Sequence, residues 1–287
     1  MKVLDGVAAL AADYDGFILD LWGVVHDGRR PYPGVAEALG RLKAQGKRIA
    51  FLSNAPRRSF VVDALLTGMG LDRALWDGTM TSGEIAWRHL KHRERADFRA
   101  LGVKALHIGP ERDLSVPADT DVVLVRTADE ADFVLNTGPE PARGNHDIEP
   151  YRPALEACAA RRLPMLCVNP DRHVMVGDER VICAGALADL YRDLGGPQAI
   201  EIGKPDPDCY PPVLELLGLT DRARVVAIGD SPHTDLAGAQ AAGIDAVWAL
   251  TGLAAHAHGE SPDPVRLAAV AAAEGVRPVA ALMGLRW

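Results

Sequence analysis

What most constrains this chain is its alternation of short apolar runs with helical stretches. FILDLW at 17–22, a helical stretch over Val35–Ala44, RIAFLS at 48–53 and a second helical stretch over Ser59–Gly68 follow one another near the N-terminus. Apolar runs of this length, bounded by turn residues and separated by helices, read as βαβ units that lay down a parallel sheet. The rhythm resumes near the C-terminus with RVVAIGD at 224–230, a helical DLAGAQAAG and the apolar DAVWAL at 245–250. Between the two blocks lie other strand-like runs, ALHIG, DVVLV, DFVLN and PMLCV, with helices near Pro153–Ala160 and Ala186–Leu194. The pattern predicts an α/β protein: a Rossmann-like core with a parallel sheet, built from 1–80 and 199–287, interrupted by an inserted αβ unit at 81–198. No internal repeat or low-complexity tract competes with that organisation.

Charge narrows the partners. With 39 acidic residues against 31 Lys plus Arg and a formal net charge of -8, the chain offers no basic surface for nucleic acid, so an anionic ligand must be held by a local pocket. The opening MKVLDGVAALAADYDG is too interrupted by Asp5 and Asp13 for a signal segment, and no window approaches the roughly 18 apolar residues of a membrane span. A cytoplasmic protein with no membrane partner is expected. Cys158, Cys167, Cys183 and Cys209 form no CxxC pair and read as reduced, buried thiols.

Several residues at the ends of the strand-like runs could carry chemistry. Asp20 falls at the carboxyl end of a buried strand, where a carboxylate is costly unless paired or metal-bound and where open α/β sheets place their ligands. Ser53 and Asn54 leave the second strand with a hydroxyl and an amide, suited either to capping a helix or to holding a phosphate oxygen at its N-terminus. Lys204, in the proline-braced IGKPDPD, is a candidate fixed cation. Asp230 and Asp235 follow the RVVAIGD strand, and with Asp20 they make an oxygen-rich site of the kind Mg²⁺ prefers. Among the rest, TSGE reads as a capping box with Thr81 at the cap, VNPD at 168–171 as a turn, Arg57 and Arg58 as surface charges, and His89, His92 and Arg93 as one exposed helix face.

The ordered set Asp20, Ser53, Lys204 and Asp230/Asp235, with an insert between the second and third, resembles the haloacid dehalogenase (HAD) superfamily. TSGE, VNPD and GKPDP around the insert resemble subfamily IIA, the branch with nitrophenylphosphatase-like and pyridoxal-phosphate-phosphatase-like members. The resemblance implies a HAD core with an inserted cap and a Mg²⁺-dependent phosphohydrolase acting on a small phosphorylated metabolite through an aspartyl phosphate. Asp20 would be the nucleophile, with Ser53 and Lys204 as its catalytic companions. Asp20, the backbone carbonyl of Trp22, Asp230 and Asp235 would hold the metal. Asn54, with Asn169 and Asp171 of the cap loop beside Arg172 and His173, would meet substrate. A homodimer through the cap is compatible with the resemblance.

One departure matters. Family phosphatases usually carry a second Asp two residues after the nucleophile as general acid and base, and here that residue is Trp22, whose indole cannot exchange protons in that role. Three outcomes stay open: a slow phosphatase, a substrate with a good leaving group, or a surrogate acid/base, for which His26 and Asp27, in a turn-like HDG just downstream, are the candidates. The alternatives are a catalytically weak or regulatory phosphate-ligand binder and another HAD hydrolase chemistry.

Overall fold

The computed structural model describes residues 1–177, 179–255 and 262–287. Its strands, in chain order, are β1 (Val3–Leu4), β2 (Gly16–Leu19), β3 (Arg48–Ser53), β4 (Gly78–Thr81), β5 (Lys104–Ile108), β6 (Val123–Val125), β7 (Phe133–Asn136), β8 (Met165–Cys167), β9 (His173–Val176), β10 (Glu179–Ile182), β11 (Ile200–Glu201), β12 (Val225–Gly229), β13 (Asp245–Ala249) and β14 (Ala280–Leu282). The helices used below are α1 (Val35–Ala44), α2 (Ser59–Gly68), α3 (Ser82–His92), α4 (Ala96–Ala100), α5 (Arg152–Ala160), α6 (Ala184–Asp193), α7 (Tyr210–Leu217), α8 (Ala237–Ala241) and α9 (Pro264–Ala273).

Seven strands form one parallel sheet in the order β1-β14-β13-β12-β2-β3-β4, and five form a second in the order β11-β8-β7-β5-β6, also parallel. The β9–β10 hairpin is antiparallel. Both faces of the larger sheet are covered, which is why its strands are apolar throughout rather than alternating. Phe17, Leu19, Ile49 and Phe51 point to the face packed by Val35, Leu39 and Leu42 of α1 and by Val62 and Leu66 of α2. Ile18, Ala50 and Leu52 point to the other, against Tyr210 and Val213 of α7, Ala239 of α8 and Leu267 of α9. That second core runs on without a break into Phe98, Phe133 and Leu135, so the smaller sheet is anchored to the larger by shared apolar packing. Its far face is closed by Leu155 of α5 and Leu187 of α6.

The predicted α/β class and parallel sheet are present. Some elements left no mark in the pattern. β1 has only two residues and pairs with the C-terminal β14, a contact that no local periodicity announces. TSGE caps α3 as predicted, the Thr81 hydroxyl accepting from Glu84 N at 2.9 Å, but the Glu84 carboxylate goes to Arg58 and the Ser59 amide. His89 and Arg93 are not an exposed pair: His89 packs on Phe98, and Arg93 adopts φ 49 and donates to the carbonyls of Phe98, Leu101 and Gly102. A charged head tying down a helix end costs less than leaving three carbonyls without donors. Among the described residues no helix is long and apolar enough to cross a membrane.

Candidate active site

In the larger sheet β2 leads on to β3 and β4 in one direction, and β12 to β13 and β14 in the other, so strand order reverses between β2 and β12. A parallel sheet opens a crevice at such a switch point, beyond the carboxyl ends of its strands. Asp20 and Asp230 leave the sheet there, from neighbouring strands, with Asp20 N bonded to Ile228 O at 2.9 Å. Asp235 joins them from the turn Pro232–Leu236, held by Ser231 N, which donates to its Oδ2 at 3.1 Å. Carboxylate oxygens of all three lie within 4.8 Å of one another, and all three residues are buried. Close approach of the backbone makes room: a Cβ at Gly23 (φ 81) or Gly252 (φ 59) would run into the Asp230 carboxylate.

Lys204 enters from the loop after β11. Its Nζ donates to Asp20 Oδ1 and Asp235 Oδ1, both at 2.6 Å, and to Leu52 O at 3.0 Å. Burial opposes the ammonium, but the two carboxylates outweigh it and hold its pKa well above the ordinary lysine value. Burial, then the neighbouring carboxylates, push Asp230 upward; burial and Asp235 do the same to Asp20 against the pull of Lys204. Three buried carboxylates facing one ammonium leave negative charge uncompensated, and buried charge in that state is strongly unfavourable. Hard oxygen donors with excess negative charge suit a divalent cation, so the donor set fits one. The Trp22 carbonyl, left without a backbone partner among the described residues, is a further oxygen on this loop.

A cavity of about 790 Å³ opens above the cluster. The predicted Asp20, Ser53, Asn54, Asn169, Asp171 and Lys204 all line it. Asn54 joins its parts: Oδ1 accepts from Lys204 N at 2.7 Å, while Nδ2 donates to Lys204 O at 3.1 Å and to Asp171 Oδ1 at 2.9 Å. Asn169 shapes its own loop, its Oδ1 accepting from Asp171 N at 3.0 Å. Ser53 Oγ accepts from Ala55 N at 3.2 Å.

His26 and Asp27 are not brought to this cavity. His26 is buried, burial drives its pKa down to about 4, and Nδ1 accepts from Gly28 N at 3.0 Å, so the ring is a neutral structural part of the loop. Asp27 accepts from the amides of Arg29 and Arg30 and does not line the cavity. Trp22 does line the cavity, with its indole packed under Gly28 and edge-on to His26.

Arg57 and Arg58 are not surface charges. Arg58 pairs with Glu84 at 2.6 Å and lies 3.5 Å from the Trp87 ring centroid. Arg57 lies in the cavity wall beside Asp113, Nε to Oδ1 at 3.3 Å, and neither atom completes a hydrogen bond among the described residues. Sequence reading could not find this pair, because Asp113 lies in the loop after β5 and meets Arg57 only through the tertiary fold. Burial lifts Asp113 to about 6, against the pull of Arg57 and Arg112. The folded protein therefore holds that proton more tightly than the unfolded chain, so the contribution of Asp113 to stability falls as pH rises from about 4 through about 6 and then levels off. Asp113→Asn should remove that slope. The stability of the variant minus that of the native protein should rise by on the order of 2–3 kcal/mol between pH 4 and pH 7 in paired urea titrations, and a flat difference would refute the burial argument.

Comparison with known proteins agrees with the fold. A haloacid dehalogenase-like hydrolase profile matches residues 17–122, and a second HAD-like profile matches 201–273. The chain belongs to the haloacid dehalogenase-like hydrolases, in the subfamily IIA branch. Chronophin of Rattus norvegicus is 30% identical over 261 residues, covering 83% of this chain and 77% of its own, and the D-glycerol 3-phosphate phosphatase of Mycobacterium tuberculosis is 26% identical over 260 residues, covering 90% and 69%. Among solved structures, a haloacid dehalogenase-like hydrolase from Brucella suis 1330 superimposes with a TM-score of 0.81 at 32% identity over 98% of this chain and 99% of its own. The p-nitrophenyl phosphatase from Archaeoglobus fulgidus does so with 0.70 at 26% identity over 95% and 97%. With such relatives, this chain is a hydrolase of the phosphatase kind.

Proposed function

We propose that this protein is a Mg²⁺-dependent phosphatase that cleaves a small phosphorylated metabolite through an aspartyl phosphate on Asp20. The observation that carries the reading is the buried group of Asp20, Asp230, Asp235 and Lys204 at the sheet's switch point, on the floor of a closed-in cavity. A carboxylate needs no activating base to attack phosphorus, but an anion attacking a phosphate dianion needs its charge offset. When bound, Mg²⁺ held by Asp20, the Trp22 carbonyl, Asp230 and Asp235 would act as a Lewis acid toward the phosphoryl oxygens. Lys204 supplies a positive charge already fixed 2.6 Å from the Asp20 carboxylate. Ser53, at the exit of the adjacent strand, and the backbone amides after Asp20 orient the phosphoryl group for in-line displacement. Asn54 holds the Lys204 backbone in place. The inserted segment 81–198, whose sheet is completed by β11 (Ile200–Glu201) as the chain returns to the core 1–80 and 199–287, serves as a cap, placing Asn169 and Asp171 where the non-phosphate part of a substrate would sit.

A phosphate-release screen across phosphorylated metabolites, with and without Mg²⁺, tests the reading. No release above background from any compound would overturn it. The two metal-site aspartates are not equivalent. Asp235 has one oxygen on Lys204 and the other on Ser231 N, whereas among the described residues Asp230 accepts only at Oδ2, from Leu253 N at 2.8 Å. Asp230→Ala should therefore weaken Mg²⁺ binding about 10²-fold or more and Asp235→Ala clearly less, since each lost charged contact is worth about 1.5–3 kcal/mol. Calorimetric Mg²⁺ titration of both variants decides the order.

A further inference from the structure

Trp22 leaves this hydrolase without a proton donor at the usual place, and the cavity wall contains few substitutes. The leaving oxygen in an in-line displacement lies opposite the nucleophile. Asp20 attacks from the carboxyl edge of the larger sheet, so that oxygen points toward the wall built by the smaller one. Later the hydrolytic water must approach phosphorus along the same line. One carboxyl group in that wall could protonate the first and deprotonate the second.

Of the carboxyl and imidazole groups lining the cavity, Asp20, Asp230 and Asp235 form the floor. Glu201 is paired with Arg172 at 3.1 Å. His173 Nδ1 receives Arg180 Nη2 at 3.1 Å, which fixes a neutral ring with no acidic proton, and His233 is exposed and turned toward Glu274. Asp113 is sealed beside Arg57 and Arg112. Asp171 remains. It stands in the loop after β8, fixed by its N–H on Asn169 Oδ1 at 3.0 Å and by its carbonyl, which accepts from Gly185 N at 3.1 Å. Its Oδ1 accepts from Asn54 Nδ2 at 2.9 Å, while Oδ2 accepts no hydrogen bond among the described residues. Through Asn54 it is two hydrogen bonds from the backbone of Lys204, whose ammonium touches Asp20.

We infer that Asp171 is the general acid and base of this enzyme, supplying from the cap loop the carboxyl group that the chain lacks at Trp22. The inference rests on the phosphatase reading. In the first step Asp20 Oδ forms the bond to phosphorus as the bond to the leaving oxygen breaks, and the Asp171 proton moves to that oxygen. In the second, water attacks the aspartyl phosphate, its proton goes to the Asp171 carboxylate, and Asp20 and inorganic phosphate are released. Protons and bonds balance over the cycle. Burial lifts Asp171 to about 6; Lys204, the Asn54 hydrogen bond and Arg172 pull it down, and Asp235 pushes it up, with Asp20 also facing it, so both protonation states are accessible near neutral pH.

The test compares native protein, Asp171→Asn, Asp171→Glu and Asp20→Asn with Mg²⁺ on aryl phosphates of graded leaving-group pKa and one alkyl phosphate. Because kcat/KM reports only the steps through phosphoryl transfer, Asp171→Asn should match native protein within a few-fold on dinitrophenyl phosphate and lose about 10²–10⁴-fold on the alkyl ester. With dinitrophenyl phosphate the same variant should release a burst of one dinitrophenolate per chain and then slow, because water attack has lost its base; Asp171→Glu should recover part of the alkyl activity. A full burst and a near-native kcat/KM on the reactive ester show that the variant folds. An equal kcat/KM loss for every ester, or a change confined to KM, would make Asp171 a structural or binding residue and overturn the inference. Native protein inactive on every ester would instead sink the phosphatase reading itself.

Discussion

Asp20→Asn is expected to reduce phosphate release at least about 10³-fold with every substrate, because an amide cannot accept the phosphoryl group and the other two floor carboxylates are engaged, Asp235 by Lys204 and Ser231 N and Asp230 by Leu253 N. Lys204 and Asp235 stay paired in the variant, so it should fold; the lost carboxylate removes one of the charges a divalent cation would offset. Melting curves with and without Mg²⁺ should accordingly show a smaller Mg²⁺-induced rise than in the native protein. Retention of more than a few per cent of native turnover would exclude the covalent route.

Lys204→Met should affect both activity and stability. Its ammonium is the protein's own counter-charge to Asp20 and Asp235, and the side chains of all three are less than a tenth exposed. Removing one partner from a buried ionic group typically costs about 3–5 kcal/mol, because the remaining charge is neither solvated nor paired. The metal-free variant should lose that much in urea titration, and added Mg²⁺ should restore a large share of it by taking over the charge compensation. Turnover should stay low even then, since Lys204 reaches Asp20 directly. Unchanged metal-free stability would show that the carboxylates are already neutralised by protonation.

Strands β2, β3, β12 and β13, helices α1 and α2 and the ends at Asp20, Ser53 and Asp230 were legible because a strand buried on both faces must be written in apolar residues, and its carboxyl end is where polarity returns. Asn54 was legible for a similar reason, whereas VNPD read only as a turn, and it was the family resemblance that put Asn169 and Asp171 near substrate. Arg57 and Arg58 were misread. An arginine's neighbours decide whether it is solvated, and Asp113, beyond β5, with Glu84 and Trp87 of α3, reach these two only in the folded chain. His26 and Asp27 looked equally suited to proton transfer. The hydrogen bond from Gly28 N and the amides of Arg29 and Arg30 claim them for the turn, and nothing in HDG distinguishes the two outcomes.

By itself the sequence determined the α/β class, the parallel pairing and the identity of the charged groups at the strand ends, because these follow from period, apolarity and turn chemistry within short windows. Only the tertiary structure decided which charges meet. Lys204 lies 184 residues from Asp20 and 31 from Asp235, yet one ammonium joins both carboxylates. Asp171 faces this floor only because the smaller sheet folds over the larger through a shared core. Burial and long-range charge contact depend on distances in space, and short sequence windows carry no record of them.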